Sequence, residues 1–375
     1  MVVRAVVERV LPAIGVEAWV LDDTGFPKDG KRSPGVKRQY SGTLGKIGNC
    51  QIGVSVHAVG ARGTVPLGWA LYLPEEWCSD PERRRRAKIP ETVAFKTKNE
   101  LGVELVERAM GWAIPTAPVL GDQAYGDDGK LRERLDAAGS EYVVSVGPAA
   151  LVFAPETGFQ MPERTPGRGR QHGCPLPDLD PESIGALIAR LGPEQTQTVT
   201  FRDGPDGKPV ESRFVFVRVR AASRWRVSDH RWATGGENLP REEWLIAEWP
   251  EGHERPTGYW LSNLPADTEP ERLARLRAAA LEGARLQAAQ RRARARSLRR
   301  TVLARVVSPH RAGDRRARVH DAGAAAPKSP AAGLTLPQAI LLFQPLFKCW
   351  TGRCQTCQRP VNLDRLSLHP ATQTE

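Results

Sequence analysis

EAWVLDD, residues 17–23, is an apolar run that ends in two acids, and APVLGD, residues 117–122, ends in one. Short apolar runs bounded by polar and turn residues read as buried strands, so each of these segments delivers a carboxylate to its C-terminal end. Between them IGVSVHAV (52–59) alternates, with Ile52, Val54, Val56 and Ala58 on one face, and VPLGWALYL (65–73) follows a Gly-containing turn. Three antiparallel strands are the simplest arrangement. KTKNELGVELVERAMGWA (96–113) then places Leu101, Leu105, Ala109 and Trp112 at helical spacing, DGKLRERLDAAG (128–139) is a helix stopped by glycine, and EYVVSV (141–146) is a strand. The order is βββαβαβ, an α/β class, over residues 1–146.

Beyond residue 146 the pattern changes. PETGFQMPERTPGRGRQHGCPLPDLDP is a Pro/Gly-rich loop, and TQTVTFRDGPDGKPVESRFVFVRVRAA is a strand pair with a Gly-rich turn, so 147–256 reads as an inserted, mainly β subdomain. Trp232, Trp244, Trp249 and Trp260 stand among apolar strand residues and read as core aromatics. The first pattern resumes over 257–276, with the strand YWLSNL (259–264) and a helix in which Thr268 and Glu271 have capping-box spacing. Residues 277–332 are rich in Arg and Ala without a core-forming stripe, and 333–375 form a C-terminal tail that regains apolar residues.

An apolar content of 40% over 375 residues is enough for a sizeable core. No run approaches the roughly 20 apolar residues of a membrane helix, and MVVRAVVERVLPAIG lacks a signal-peptide pattern, so a cytoplasmic location without membrane contact is expected. The charge is not evenly spread. Residues 277–318 hold thirteen arginines, no lysine, and only Glu282 and Asp314 as acids, which accounts for the whole net charge of +11. Of the six cysteines, only Cys349, Cys354 and Cys357 are close in sequence; with His369 they make an incomplete zinc pattern, and reduced thiols are the simpler reading.

Asp22 or Asp23 on the first strand and Asp122 on the later one would face each other if the two strands are neighbours. Paired carboxylates with a third acid hold two Mg²⁺ ions about 4 Å apart, the arrangement for phosphoryl transfer. Aspartate after a strand is also a common turn or cap residue, so residue type alone does not decide.

The segments VLDDTGFPKDGKRSPGVKRQYSGTLGKIGNCQIGV (20–54) and VLGDQAYGDD (119–128) resemble the DDE transposases of bacterial insertion sequences. The resemblance covers roughly residues 16–276 and again 333–360. It implies a ribonuclease-H-like mixed sheet and metal-dependent cleavage and joining of DNA at insertion-sequence ends. Carried over by motif, Asp22 would be the first metal ligand, with Asp23 its alternative, and Asp122 the second; Thr24, Lys28 and Tyr125 would be neighbours of the site. Two Mg²⁺ (or Mn²⁺) ions per site are implied as cofactors. The implied partners are DNA, as transposon ends and target, and a second copy in a homodimer, with no small-molecule substrate. The location would be nucleoid-associated when DNA is bound.

The chain departs from the family pattern where a third acid is required. The Arg-Trp-Arg, Glu and Asp-Tyr context of that acid is missing, and Glu282 is the acid nearest its place. Back-translation of Ala284–Leu303 with permitted codons, read one nucleotide later, yields a run that resembles the missing segment. This predicts two compensating frame changes, one near residue 277 and one before Gly333, with 277–332 out of frame, no packed place for that segment and no activity in this copy. The Asp-bearing strand also starts within twenty residues of Met1, so a truncated chain without the DNA-binding domain that the resemblance implies ahead of this strand is expected. The remaining expectation is a DNA-contacting basic run, Arg83, Arg84, Arg85, Arg86 and Lys88, for which a solvated loop is the plainer alternative. A non-catalytic DNA-binding remnant is the alternative function.

Overall fold

Strict alternation in IGVSVHAV becomes the middle of a long strand that organises the first half of the chain. The computed structural model describes residues 2–42, 45–161, 174–204, 206–226, 228, 231–232 and 239–279. Strand β1 (Val16–Pro27) runs antiparallel to β3 (Lys46–Gly60), pairing Asp22 with Ser55 and Thr24 with Gly53. On its other side β3 pairs first with the short β2 (Lys37–Ser41) and then with β4 (Gly63–Tyr72), both antiparallel. Ile52, Val54, Val56 and Ala58 are all fully buried, as their spacing requires. A helix not expected from the sequence, α1 (Val2–Ile14), precedes β1 and buries Val7, Leu11 and Ile14 along one stripe.

Two short helices, α2 (Glu75–Ser79) and α3 (Pro81–Ala87), lead to α4 (Lys98–Met110). Helix α4 starts where Thr97 and Glu100 form a capping box: Thr97 Oγ1 accepts from the Glu100 N–H at 3.1 Å and Glu100 accepts from the Thr97 N–H at 2.7 Å. Its inner face, Val103, Leu105, Val106 and Ala109, packs on the sheet. Gly102 lets it approach closely, since a Cβ there would come within 2.8 Å of the Leu21 side chain.

Strand β5 (Val119–Gly121) is short, flanked by Pro118, which has no N–H, and by Asp122, which leaves the ladder to cap a helix. It lies parallel to β1 in the register Trp19–Val119, Val20–Leu120 and Leu21–Gly121. Helices α5 (Gln123–Gly126) and α6 (Gly129–Ala137) then cross to β6 (Tyr142–Val146), parallel to β5 on its far side.

The stretch 147–256 is mainly β. It supplies β7 (Leu151–Phe153), β8 (Phe159–Gln160), β9 (Leu176–Pro177), β10 (Glu182–Ser183), helix α7 (Ile184–Leu191), β11 (Gln197–Asp203), β12 (Pro209–Ala221), β13 (Trp225–Arg226), β14 (Arg231–Trp232) and β15 (Glu242–Glu248). Two pairs stand apart, β8 with β9 and β13 with β14; the others continue the main sheet through β16 (Gly258–Ser262). The order is β10-β7-β12-β15-β16-β6-β5-β1-β3-β2, with β11 on β12 and β4 on β3, a twelve-stranded mixed α/β sheet consistent with a ribonuclease-H-like fold.

The central strands are covered on both faces, which is why they read as nearly unbroken apolar runs. Trp19, Leu21 and Val119 pack toward α4, whereas Val20, Leu120 and Val143 pack toward Leu273 and Ala274 of the helical residues 270–279. Trp249 and Trp260 are buried and Trp244 partly so, its Nε1 donating to the Pro265 carbonyl at 3.0 Å; the Trp232 side chain lies outside the described residues.

The segment expected to lack a packed place begins differently. Arg277 is only 4% exposed, pairs with Glu248, and lies 5.0–5.1 Å from the ring centres of Phe201, Phe214 and Trp260, while Ala278 is also buried. Packed structure thus runs through the first residues of that segment. The rest of it, from 280 on, and the C-terminal cysteines lie outside the described residues. Among the described residues no helix is long and apolar enough to cross a membrane.

Candidate active site

The parallel register of β1 and β5 brings together the two acids singled out in the sequence. Leu21 pairs with Gly121, so Asp22 on β1 and Asp122, one residue past the end of β5, each follow the last paired position of two strands that lie about 4.8 Å apart. Alternation assigns their faces. Trp19 and Leu21 point toward α4, and Val20 away from it, which carries Asp22 to the face opposite α4. The same count turns Val119 and Gly121 toward α4 and Leu120 away from it, and Asp122 follows at the strand's end as the N-cap of α5.

Asp23 takes the other face. Its Oδ2 accepts from Lys98 Nζ at 2.7 Å, and the Thr97 capping box fixes Lys98 in the first turn of α4. Lys98 also lies 6.0 Å from the ring centre of Tyr72. Asp22 accepts the Asp23 backbone N–H at 2.7 Å, and its own carbonyl accepts from Ser55 Oγ at 3.4 Å.

Asp122 caps α5, accepting the Ala124 N–H at 3.0 Å. Its outer edge is open to solvent, but protein fills most of the volume around its base. Desolvation pushes its pKa above the ordinary carboxylate value; the bond from Ala124 opposes this, the charge of Asp23 adds to it, and Lys98 pulls it down. Thr24 is buried two residues beyond Asp22 on the same strand face, and its Oγ1 has no hydrogen-bond partner.

Of the other sequence-marked residues, Tyr125 adjoins Asp122 through its backbone N–H, which donates to the Asp122 carbonyl at 3.1 Å, and the rest lie farther off. Lys28 lies just past β1, six residues from Asp22, roughly 20 Å at 3.3 Å per residue. The Tyr125 ring is buried in the core under α4, against Gly121, on the face away from Asp22. In the basic run Arg83 stacks 3.6 Å from the Trp77 ring centre, and Arg86 pairs with Glu82. The Arg84 guanidinium binds the carbonyls of Cys78, Pro90, Glu91 and Val93 at 2.7–3.2 Å, which ties down the loop after α3. Arg85 and Lys88 are exposed. Glu282 lies outside the described residues.

Sequence reasoning missed Lys98. Its signal was available in Thr97-x-x-Glu100, which starts the helix there, but its partner is 75 positions away. A cavity of about 310 Å³ opens elsewhere, between α6 and β15, where Arg132, Arg224 and Arg241 are balanced by Glu133, Asp136 and Glu243. It is remote from Asp22 and has no net charge to select a ligand.

The family model for DDE superfamily endonucleases matches residues 2–208, more than half of the chain, and the chain belongs to that family. It is also 30% identical over 128 residues to the "Probable transposase for insertion sequence element IS701" of Microchaete diplosiphon, a match over 34% of this chain and 31% of that relative's length. Endonucleases of this superfamily generally use divalent metal ions. The donors present fit one such ion: carboxylate oxygens are hard ligands, Mg²⁺ binds through one or two carboxylates with substrate phosphates completing its shell, and Thr24 Oγ1 is an unsatisfied oxygen beside them. No cluster of three or more His, Cys, Asp or Glu side chains placed to hold a metal occurs among the described residues.

Proposed function

We propose that the protein is a DDE-type transposase whose chemistry is direct displacement at DNA phosphodiesters, with Asp22 and Asp122 as the carboxylates that hold Mg²⁺ or Mn²⁺. The observation that carries this is the Leu21–Gly121 pairing, which brings the two acids to the same end of adjacent parallel strands. Bound divalent ions supply activation of a water or a 3′-hydroxyl and stabilisation of the leaving oxygen. The protein's part is placement. Asp22 is held by a strand paired on both sides, Asp122 by its bond to Ala124, and Lys98 neutralises Asp23 so that the cluster's excess negative charge faces the ion-binding side.

The Glu282 context is lost from the sequence, and no three-acid cluster occurs among the described residues. We therefore propose that this copy binds one ion and DNA, the latter as a non-catalytic remnant would, but does not cut, because two carboxylates hold a second divalent ion weakly. A homodimer on paired transposon ends is the corresponding assembly.

The test has two parts. Calorimetry with Mn²⁺ should show binding that Asp122→Asn and Asp22→Asn each weaken at least tenfold. Incubation with transposon-end DNA and Mg²⁺ or Mn²⁺ should yield no nicked or joined product. Strand transfer abolished by Asp122→Ala would refute inactivity and place the third acid at Glu282 or Glu271, whereas metal binding indifferent to both aspartates would overturn the site.

A further inference from the structure

We infer that the open face of β1, β3 and β4 beside Asp22 is a stacking platform for an unpaired nucleotide of the DNA, formed by the rings of Trp69 and Phe26 over Gly53. This rests on the proposed placement of the scissile phosphate at Asp22 and Asp122.

Trp69 and Phe26 are large apolar side chains that remain 43% and 44% exposed, although they stand on β4 and β1 of the main sheet. They form one surface, with ring centroids 6.4 Å apart and planes inclined by 50°. Gly53 lies beneath both: a Cβ there would come to 3.2 Å from Trp69 and 3.3 Å from Phe26, so a side chain at this position would lift the rings off the strand. His57 packs edge-on to Trp69 at 5.5 Å and braces it from the buried end.

Register ties this surface to the acids. Asp22 pairs with Ser55 and Ser55 with Trp69, so the three lie in one row across adjacent strands. At about 4.8 Å per strand, Trp69 stands about 10 Å from Asp22, and the small, buried Ser55 leaves the path between them low. A DNA strand whose phosphate sits over the acids places a flanking nucleotide at this distance. The face also carries suitable charge. Lys28 follows Phe26 at the next same-face position of β1, and Arg38 pairs with Asn49 of β3 on that face; neither makes an ion pair among the described residues. Exposed rings flanked by unpaired cations suit a base and its backbone. A base inside a duplex hides its faces in the stack, so the occupant is an unpaired nucleotide.

The experiment measures anisotropy of a labelled oligothymidylate of about 12 nucleotides on the full chain. A salt concentration of about 0.3 M suppresses general binding by the arginine-rich segment. Trp69→Leu keeps an apolar side chain without a π face, and Trp69→Phe keeps the π face. Stacking predicts binding weakened about 5- to 100-fold by Trp69→Leu, near-native binding by Trp69→Phe, and a smaller effect of either on a blunt duplex of the same length. Equal affinity of Trp69→Leu and wild type, or equal loss in both variants, would overturn the platform. Mn²⁺ binding separates the two proposals. If it depends on Asp122 while Trp69→Leu is silent, the platform alone fails; if it ignores Asp122, the active-site reading fails and the Trp69 comparison still decides the platform.

Discussion

Asp122 serves two partners, the Ala124 N–H that it caps and the cation that its charge would hold. Burial raises its pKa above the ordinary carboxylate value and the charge of Asp23 adds to the shift, so the folded protein holds the Asp122 proton more tightly than the unfolded chain does. The sign follows from linkage. A carboxylate raised on folding contributes stability that is fully present below its unfolded pKa, near 3.8, and is lost as pH rises through the folded value. A divalent ion competes with that proton, so Mn²⁺ affinity should climb through the same window. Lys98 lowers the Asp122 pKa, so Lys98→Met should move the climb to higher pH, and Asp122→Asn should flatten it; calorimetry at a series of pH values reads both shifts.

At the scale of elements, close approach of α4 to β1 matters more than helix propensity. Gly102→Ala gains about 1 kcal/mol of propensity, but the new Cβ meets Leu21 at 2.8 Å, and overpacking costs about 1–3 kcal/mol. Net destabilisation is expected in urea unfolding, with weaker Mn²⁺ binding because Leu21 adjoins Asp22. The start of the Arg-rich segment gives a second case. Arg277 is buried and Glu248 half-buried beside it, so Arg277→Ala leaves a partly desolvated carboxylate without its cation, at a cost of about 1–3 kcal/mol. The double change Arg277→Met, Glu248→Gln should recover much of that loss in the same measurement.

These elements also mark how far the sequence could be read. β3 and α4 were legible because each keeps one period over many residues, and the acids at two strand ends followed from short apolar runs. β2 has only five residues, too few for a period, and α1 carries Pro12, which argues against a helix although it sits in the last turn. The exposure of Trp69 was hidden because VPLGWALYL looks uniformly apolar, and a register shift opposite Val56 and His57 decides which side chains of β4 turn outward. The choice between Asp22 and Asp23 needed the strand's phase, which only packing against α4 fixes.

At the scale of the molecule, one asparagine joins distant stretches of the sheet. Asn263 accepts the Tyr142 N–H at 2.7 Å and donates to Asp136 and to the Ser140 carbonyl at 3.0 Å each, linking the end of β16 to the α6–β6 turn. Asn263→Ala strands buried groups at about 1–3 kcal/mol. Faster hydrogen exchange is expected in β5 and β6 as well as in β16, because these strands share one ladder; acceleration confined to β16 would contradict that coupling.

The pairing of β1 with β5 also bears on how the protein folds. It rests on three residue pairs between segments a hundred positions apart. Such a contact forms late, after the chain between has closed a long loop. A slip of one residue would bring Gly121 or Gln123 abreast of Asp22 in place of Asp122, with helix and strand content nearly unchanged. Refolding followed by circular dichroism should therefore finish before refolding followed by Mn²⁺ binding, and the interval between them would time the arrival of the correct register.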